Sequence, residues 1–140
     1  MSYDIHLCDP VTHNTLLSDA PHPMAGGMYA IGGTRELWLN VTYNYSDWYY
    51  ADGVFGPAGD GNKGIRTIYG LSGAESIPVL EHAIAALEAM PDKGQKPEKV
   101  TYWTPTRENA IHPLYQLLAM ARMRLGRGLN IGKEIIPCLN

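Results

Sequence analysis

Leu37-Trp38-Leu39-Asn40-Val41-Thr42-Tyr43-Asn44-Tyr45 carries the clearest strand signature in the chain. Side chains alternate across a strand, so Leu37, Leu39, Val41, Tyr43 and Tyr45 share one face, and Trp38, Asn40, Thr42 and Asn44 share the other. The first face is the expected core face. Upstream, Gly26 to Ile31 leads through Gly32-Gly33-Thr34 into this strand, and paired glycines between two β-rich runs predict a hairpin. Tyr3 to Cys8 alternates in the same way and predicts a first strand, which Asp9-Pro10 ends as a turn. A shorter strand is expected around Thr15 to Leu17, with loop over Asp19 to Pro23 because each proline disfavours helix in the residue before it. Residues 51–64 contain five glycines and a proline, which predicts a long, mobile surface loop. Ile65 to Tyr69 is expected to return from it as a strand.

Further along, Ile77, Leu80, Ile84 and Leu87 recur at spacings of three and four, which predicts a helix over residues 73–90. Ser72 with Glu75 forms a capping-box pair, although Pro78 would then fall in the second turn, so Ser76 is the alternative cap. Val100 to Trp103 reads as a short strand. A second helix over residues 106–125, capped at Thr104-Pro105 or Thr106, follows from the stripe Ala110, Leu114, Leu117, Leu118, Ala121 and Leu125, with Pro113 expected to kink or delay it. Arg122, Arg124 and Arg127 stand where cations favour the carbonyl end of that helix. The tail after Leu129 has no dependable periodicity. The expected fold is α+β: a mainly antiparallel sheet of four to five strands packed by two helices, in a single domain over residues 1–140.

Composition narrows the function classes. The chain has 140 residues, a net charge of −3 and two cysteines, Cys8 and Cys138. That length suits one domain, and two cysteines make no disulfide framework of the secreted kind, so reduced thiols and a cytoplasmic setting are expected. Met1 to Asp9 has no apolar run of the signal-peptide type, and no stretch is apolar enough to span a membrane. Residues 1–105 hold six Lys or Arg against twelve Asp or Glu, whereas residues 106–140 hold five against two. An acidic chain argues against duplex nucleic acid, whose binding draws on many phosphate contacts. A local anion site stays open.

Four constellations could carry chemistry. Trp48, Tyr49 and Tyr50, beyond the strand, are flat amphipathic rings of the type that stacks on bases or anchors an interface. Gly59 to Gly64 matches G-x-G-x-x-G, but the expected element after it is a strand, where dinucleotide binding needs a helix. Gly70-Leu71-Ser72-Gly73-Ala74 has three readings. It is a simple helix cap, an anion cradle in which the helix start, Ser72, Gly73 and Arg66 hold a phosphate, or a nucleophile elbow in which Ala74 replaces the usual last glycine. His6 and Cys8 share a strand face near His13 and His22, but their spacing matches no standard zinc pattern, and no metal or cofactor is expected. No catalytic residue is assigned.

The runs Leu39 to Tyr45, Gly64 to Gly70 and Gly73 to Leu80, together with Trp103-Thr104-Pro105-Thr106 and Asn109-Ala110, resemble small accessory proteins of tailed phages and prophages, mostly of unassigned function. The likeness extends to about Met123, and Pro113 departs from it. It implies a protein acting on host machinery in the host cytoplasm, often by stoichiometric binding. The expected function is therefore non-enzymatic capture of a small anionic, nucleotide-like ligand, such as a host cyclic-nucleotide immune signal, by Trp48, Tyr49, Tyr50, Arg66, Ser72 and Gly73. The alternatives are a protein-protein inhibitor of a host defence component and, third, a small hydrolase or phosphodiesterase. Self-assembly into a homo-oligomer is compatible with each.

Overall fold

The computed structural model describes residues 2–9, 12, 14–22, 34–59, 61–91, 101, 104–125 and 136–139. In chain order the elements are β1 (Ser2–Cys8), β2 (Leu17–His22), β3 (Thr34–Glu36), β4 (Trp38–Thr42), α1 (Ser46–Tyr49), α2 (Gly73–Ala89), α3 (Arg107–Leu125) and β5 (Ile136–Leu139). Short 3-10 turns stand at Tyr43–Tyr45 and Gly64–Ile68. The fold class is α+β, but the strands do not form one sheet of four to five. Among the described residues β4, β1 and β5 make a three-stranded antiparallel sheet, and β2 and β3 pair separately as a two-stranded ribbon.

Register explains the core. Tyr3 stands opposite Val41 and Ile5 opposite Leu39, so Tyr3, Ile5, Leu7, Leu37, Leu39 and Val41 all meet on one buried face. Ser2, Asp4, His6, Trp38, Asn40 and Thr42 take the other face and are half-buried. A slip of one residue would exchange the two sets, which is why this alternation specifies the pairing. On the polar face the Asn40 amide donates to Asp4 and to Ser2, and His6 stacks on Trp38 with ring centroids 5.6 Å apart. Leu37 joins ribbon to sheet: its N-H donates to Leu16 and its carbonyl accepts from Leu7, each at 3.0 Å.

Several elements depart from the sequence expectation. Asp19 to His22 belongs to β2, because two-stranded edges tolerate proline where central strands do not. Gly26 to Ile31, the expected first arm of the hairpin, lies outside the described residues, as do Val100, Tyr102 and Trp103. Residues 64–68 form a 3-10 turn in place of a strand. The tail, which has no readable period, supplies β5 beside β1. Cys8 is disulfide-bonded rather than reduced, and the only other cysteine of the chain is Cys138. No helix among the described residues is long and apolar enough to cross a membrane.

Both long helices run through their prolines. In α2, Ser72 is the cap, its Oγ accepting from Glu75 N while its own N-H donates to Glu75 Oε1. Pro78 leaves the Ala74 carbonyl without its helical donor, and both residues are exposed, so that carbonyl is not stranded in the core. Thr106 caps α3 by accepting from Asn109 N at 3.2 Å. Leu80, Ala83, Ile84 and Leu87 of α2 and Ala110, Leu114, Leu117 and Leu118 of α3 are buried in the same core as the sheet face. Leu114 is fully buried, whereas its neighbour Tyr115 is 48% exposed. Leu114→Ala is therefore expected to cost about 2–5 kcal/mol in urea unfolding, against about 0.5 kcal/mol or less for Tyr115→Ala. Equal midpoints for the two variants would contradict this packing.

Candidate functional site

The chain leaves β4 at Thr42, whose Oγ1 accepts from Asn44 N and starts the 3-10 turn that runs into α1. In a helical run, residues three and four apart share a face. Tyr45, Trp48 and Tyr49 consequently point together into the core, at 4%, 3% and 0% exposure. Their polar atoms are answered there: Trp48 Nε1 donates to the Pro105 carbonyl at 2.9 Å, and Tyr49 OH donates to the Ala110 carbonyl at 2.7 Å. Tyr49 packs edge-on against Tyr45 and Phe55. The expectation that Trp48 and Tyr49 form a working surface is thus corrected, since both are enclosed and bonded to the start of α3. Tyr50, just beyond α1, is 37% exposed.

The glycine-rich loop positions Tyr50. Val54 and Phe55 anchor the loop in the core, Asp52 Oδ1 accepts from Ala58 N at 2.8 Å, and His82 Nε2 of α2 donates to the Gly53 carbonyl at 2.9 Å. At its far end Asn62 Nδ2 donates to the Tyr50 carbonyl, while Asn62 Oδ1 accepts from Gly64 N. Gly64 has φ +57, and a Cβ there would stand 3.1 Å from Tyr50 Cε2. The backbone at this position thus combines a left-handed conformation with close approach to a ring. This is an anchored loop.

Next comes the 3-10 turn, with Ile65 and Ile68, three apart, buried at 0% and 1% and Arg66 between them half-buried. The Arg66 guanidinium enters a cluster of tyrosines. Its Cζ lies 4.9 Å from the ring centroid of Tyr3 and 5.7 Å from that of Tyr43. Nη2 donates to Tyr43 OH at 3.2 Å and Nη1 to Tyr50 OH at 3.4 Å, long distances for hydrogen bonds. Tyr3 and Tyr43 meet edge to face at 4.5 Å, and the Tyr3 hydroxyl shares a 2.7 Å hydrogen bond with Ser46 Oγ. Burial pushes the Tyr69 phenol up to about 12, the Arg66 charge opposing that rise. Burial likewise raises Tyr3, with the Ser46 hydrogen bond opposing it. Among the described residues no carboxylate pairs with Arg66. Ring and guanidinium therefore attract through cation–π contact, and the guanidinium fork is answered only by neutral oxygens.

Ser72 and Gly73 are buried, and Ser72 has only 5% exposure. Its hydroxyl and amide are both engaged with Glu75, whose carboxylate fills the anion position at the start of α2. Arg66 and Ser72 thus engage different partners, and the structure does not assemble them into one cradle. Of the expected set, Tyr50 and Arg66 come together. Sequence reading missed Tyr3, Tyr43 and Tyr69 as their companions. Only Tyr69, three residues after Arg66 at the end of a tight turn, left a local signal.

Two other places hold polar groups. A cleft of about 370 Å³ between α2 and α3 is lined by Glu88, Arg107, Glu108, Ile111, His112 and Tyr115. There Arg107 pairs with Glu108 at 2.9 Å and Tyr115 OH donates to Glu88, so both carboxylates already have partners. His6 bonds Thr15 through Nδ1 at 2.9 Å, and His13 lies outside the described residues. No group of three or more metal-ligating side chains occurs among the described residues. No family model, curated protein or solved structure matches the chain.

Two outcomes follow from this geometry. Gly64→Ala forces strain at positive φ and pushes on Tyr50, which is expected to destabilise the fold by about 1–3 kcal/mol in chemical unfolding. Unchanged stability would show that the turn relaxes without strain. Alkaline pH supplies the second. Burial raises the phenols of Tyr3, Tyr49 and Tyr69 above their unfolded value, which is about 10. Their stabilising effect is complete below about pH 10 and declines as pH rises above it, up to about 12 for Tyr69. In a tyrosinate absorbance titration these phenols should ionise only as helical circular dichroism is lost. Ionisation of all nine tyrosines near pH 10 with the helices intact would refute the assignment.

Proposed function

We propose that this protein is a non-enzymatic binding protein that captures a small anionic, nucleotide-like ligand at the Arg66 cage. The observation that carries the reading is the guanidinium itself: half-buried, bounded by the rings of Tyr3 and Tyr43, and met among the described residues only by phenol oxygens at long distances. A planar fork of donors fits carboxylate and phosphate oxygens, and charge-assisted bonds to them are shorter and about twice as strong as bonds to neutral acceptors. Tyr50, exposed beside it, offers a face on which a base can stack.

The resemblance to tailed-phage accessory proteins supports a setting for this reading, namely sequestration of a host signal such as a cyclic nucleotide in the host cytoplasm. In that compartment the disulfide at Cys8 would meet the cellular thiol pool. The alternative, inhibition of a host defence protein through Trp48, Tyr49, Tyr50 and the loop of residues 51–64, is weakened because burial leaves only Tyr50 of its three rings at the surface. Hydrolysis by Ser72 is disfavoured by the engagement of its hydroxyl with Glu75 N.

A thermal-shift screen over cyclic and linear nucleotides tests the proposal. Ligand at 100 times its dissociation constant adds about 2.7 kcal/mol, a shift of several degrees for a domain of this size. Arg66→Ala should weaken binding about tenfold or more, a loss of about 1.4 kcal/mol or above, while the variant stays folded. A screen in which no nucleotide moves the melting temperature would reject the reading.

A further inference from the structure

We infer that the Arg66 cage selects ligands by charge, accepting the monoanionic phosphodiester of a cyclic or linked nucleotide and discriminating against the dianionic terminal phosphate of a mononucleotide. The inference rests on the cage being a ligand site and specifies what it takes. Among the described residues Arg66 is the one formal cation in contact with the rings, and Tyr3, Tyr43 and Tyr50 surround it. Lys63, three residues earlier, is exposed and makes no ring contact or ion pair among the described residues. The nearest ready-made positive end, the start of α2, already holds the Glu75 carboxylate.

One half-buried positive charge therefore balances one negative charge. A second charge on the ligand would be drawn from water with no further cation at the rings to meet it, and such uncompensated burial is costly. The phenols add a second criterion. Once a charged oxygen takes the guanidinium, the Tyr43 and Tyr50 hydroxyls are released from accepting its N-H groups and can donate to the ligand's remaining oxygens.

The ligand charge can be changed without changing the protein. A phosphate monoester loses its second proton near pH 6, whereas a phosphodiester keeps a single charge. The titratable groups that contact Arg66 or interact with its charge among the described residues are Tyr3, Tyr43, Tyr50 and Tyr69. None is a histidine or cysteine, so the side-chain types present ordinarily hold their charge between about pH 5.5 and 8.

Isothermal titration of the full chain with cyclic AMP, AMP and adenosine, at about pH 8 and about pH 5.5, provides the test. At the higher pH cyclic AMP should bind about tenfold or more tightly than AMP, and the gap should narrow at the lower pH as AMP becomes monoanionic. Arg66→Ala should bring cyclic AMP down to the level of adenosine. Arg66→Lys, which keeps the charge without the fork, should weaken both nucleotides while preserving their order. AMP binding as tightly as cyclic AMP at about pH 8, with both lost in Arg66→Ala, would overturn the charge selection and leave ligand capture standing. Absence of binding by all three compounds would overturn both.

Discussion

The hydrogen bond from the buried Tyr49 hydroxyl to the Ala110 carbonyl fixes the rest of the aromatic segment. A phenol cannot be enclosed without a partner for its hydroxyl, since stranding that group costs about 1–3 kcal/mol. The start of α3 supplies that partner, and supplies Pro105 for Trp48 in the same way. With Trp48 and Tyr49 pinned, the helical repeat carries Tyr45 into the core one turn earlier and leaves Tyr43 and Tyr50 toward the outside. One run of sequence is thereby divided between two jobs. Three rings join the sheet to the helices, and two flank Arg66.

That division shapes the electrostatics of the cage. An arginine near a protein surface usually finds a carboxylate or remains in water. Arg66 does neither fully, because the 3-10 turn buries Ile65 and Ile68 on either side of it and directs the intervening side chain at the rings. Cation–π contact offsets part of the lost hydration without neutralising the charge. The loop contributes by holding Tyr50 through Asn62 and by the close approach of Gly64 to its ring. A loop anchored by Val54 and Phe55 can place a side chain in a way that a mobile linker cannot.

Local rules made much of this fold legible. The alternation from Leu37 to Thr42 appears in the burial of β4, the Ser72 and Glu75 pair caps α2, and the stripe beginning at Ala110 forms the inner face of α3. Beyond Thr42 the period changes from two to helical within one residue, and the aromatics that continue past it hide that change. Tyr43 and Tyr45 consequently read as strand, and Trp48 and Tyr49 as surface. Ile65 to Tyr69 reads as strand because β-branched and aromatic residues favour strands, while its decisive feature is the three-residue spacing of Ile65 and Ile68. The pairing of β5 with β1 joins opposite ends of the chain, so no window of sequence contains it. Arg66 and Tyr50 were visible as candidates singly, but Tyr3 and Tyr43 reach the site only through tertiary structure.

The same distinction separates the two places where an anion could sit. At the start of α2 the carboxylate is three residues from its cap, so the chain satisfies that site whenever the helix forms. At Arg66 no acid lies within a helical turn in sequence, and the contacting residues are tyrosines from distant segments. The acidic excess of residues 1–105 gives little long-range attraction for an anion, and surface charges beyond about 8 Å are largely screened at physiological salt. Recognition at such a site must therefore be won at contact range, through the guanidinium fork and the ring faces. Bulk positive charge would hold many anions loosely. A single arginine enclosed by neutral rings instead ties affinity to the shape and charge of the group that replaces its phenol partners.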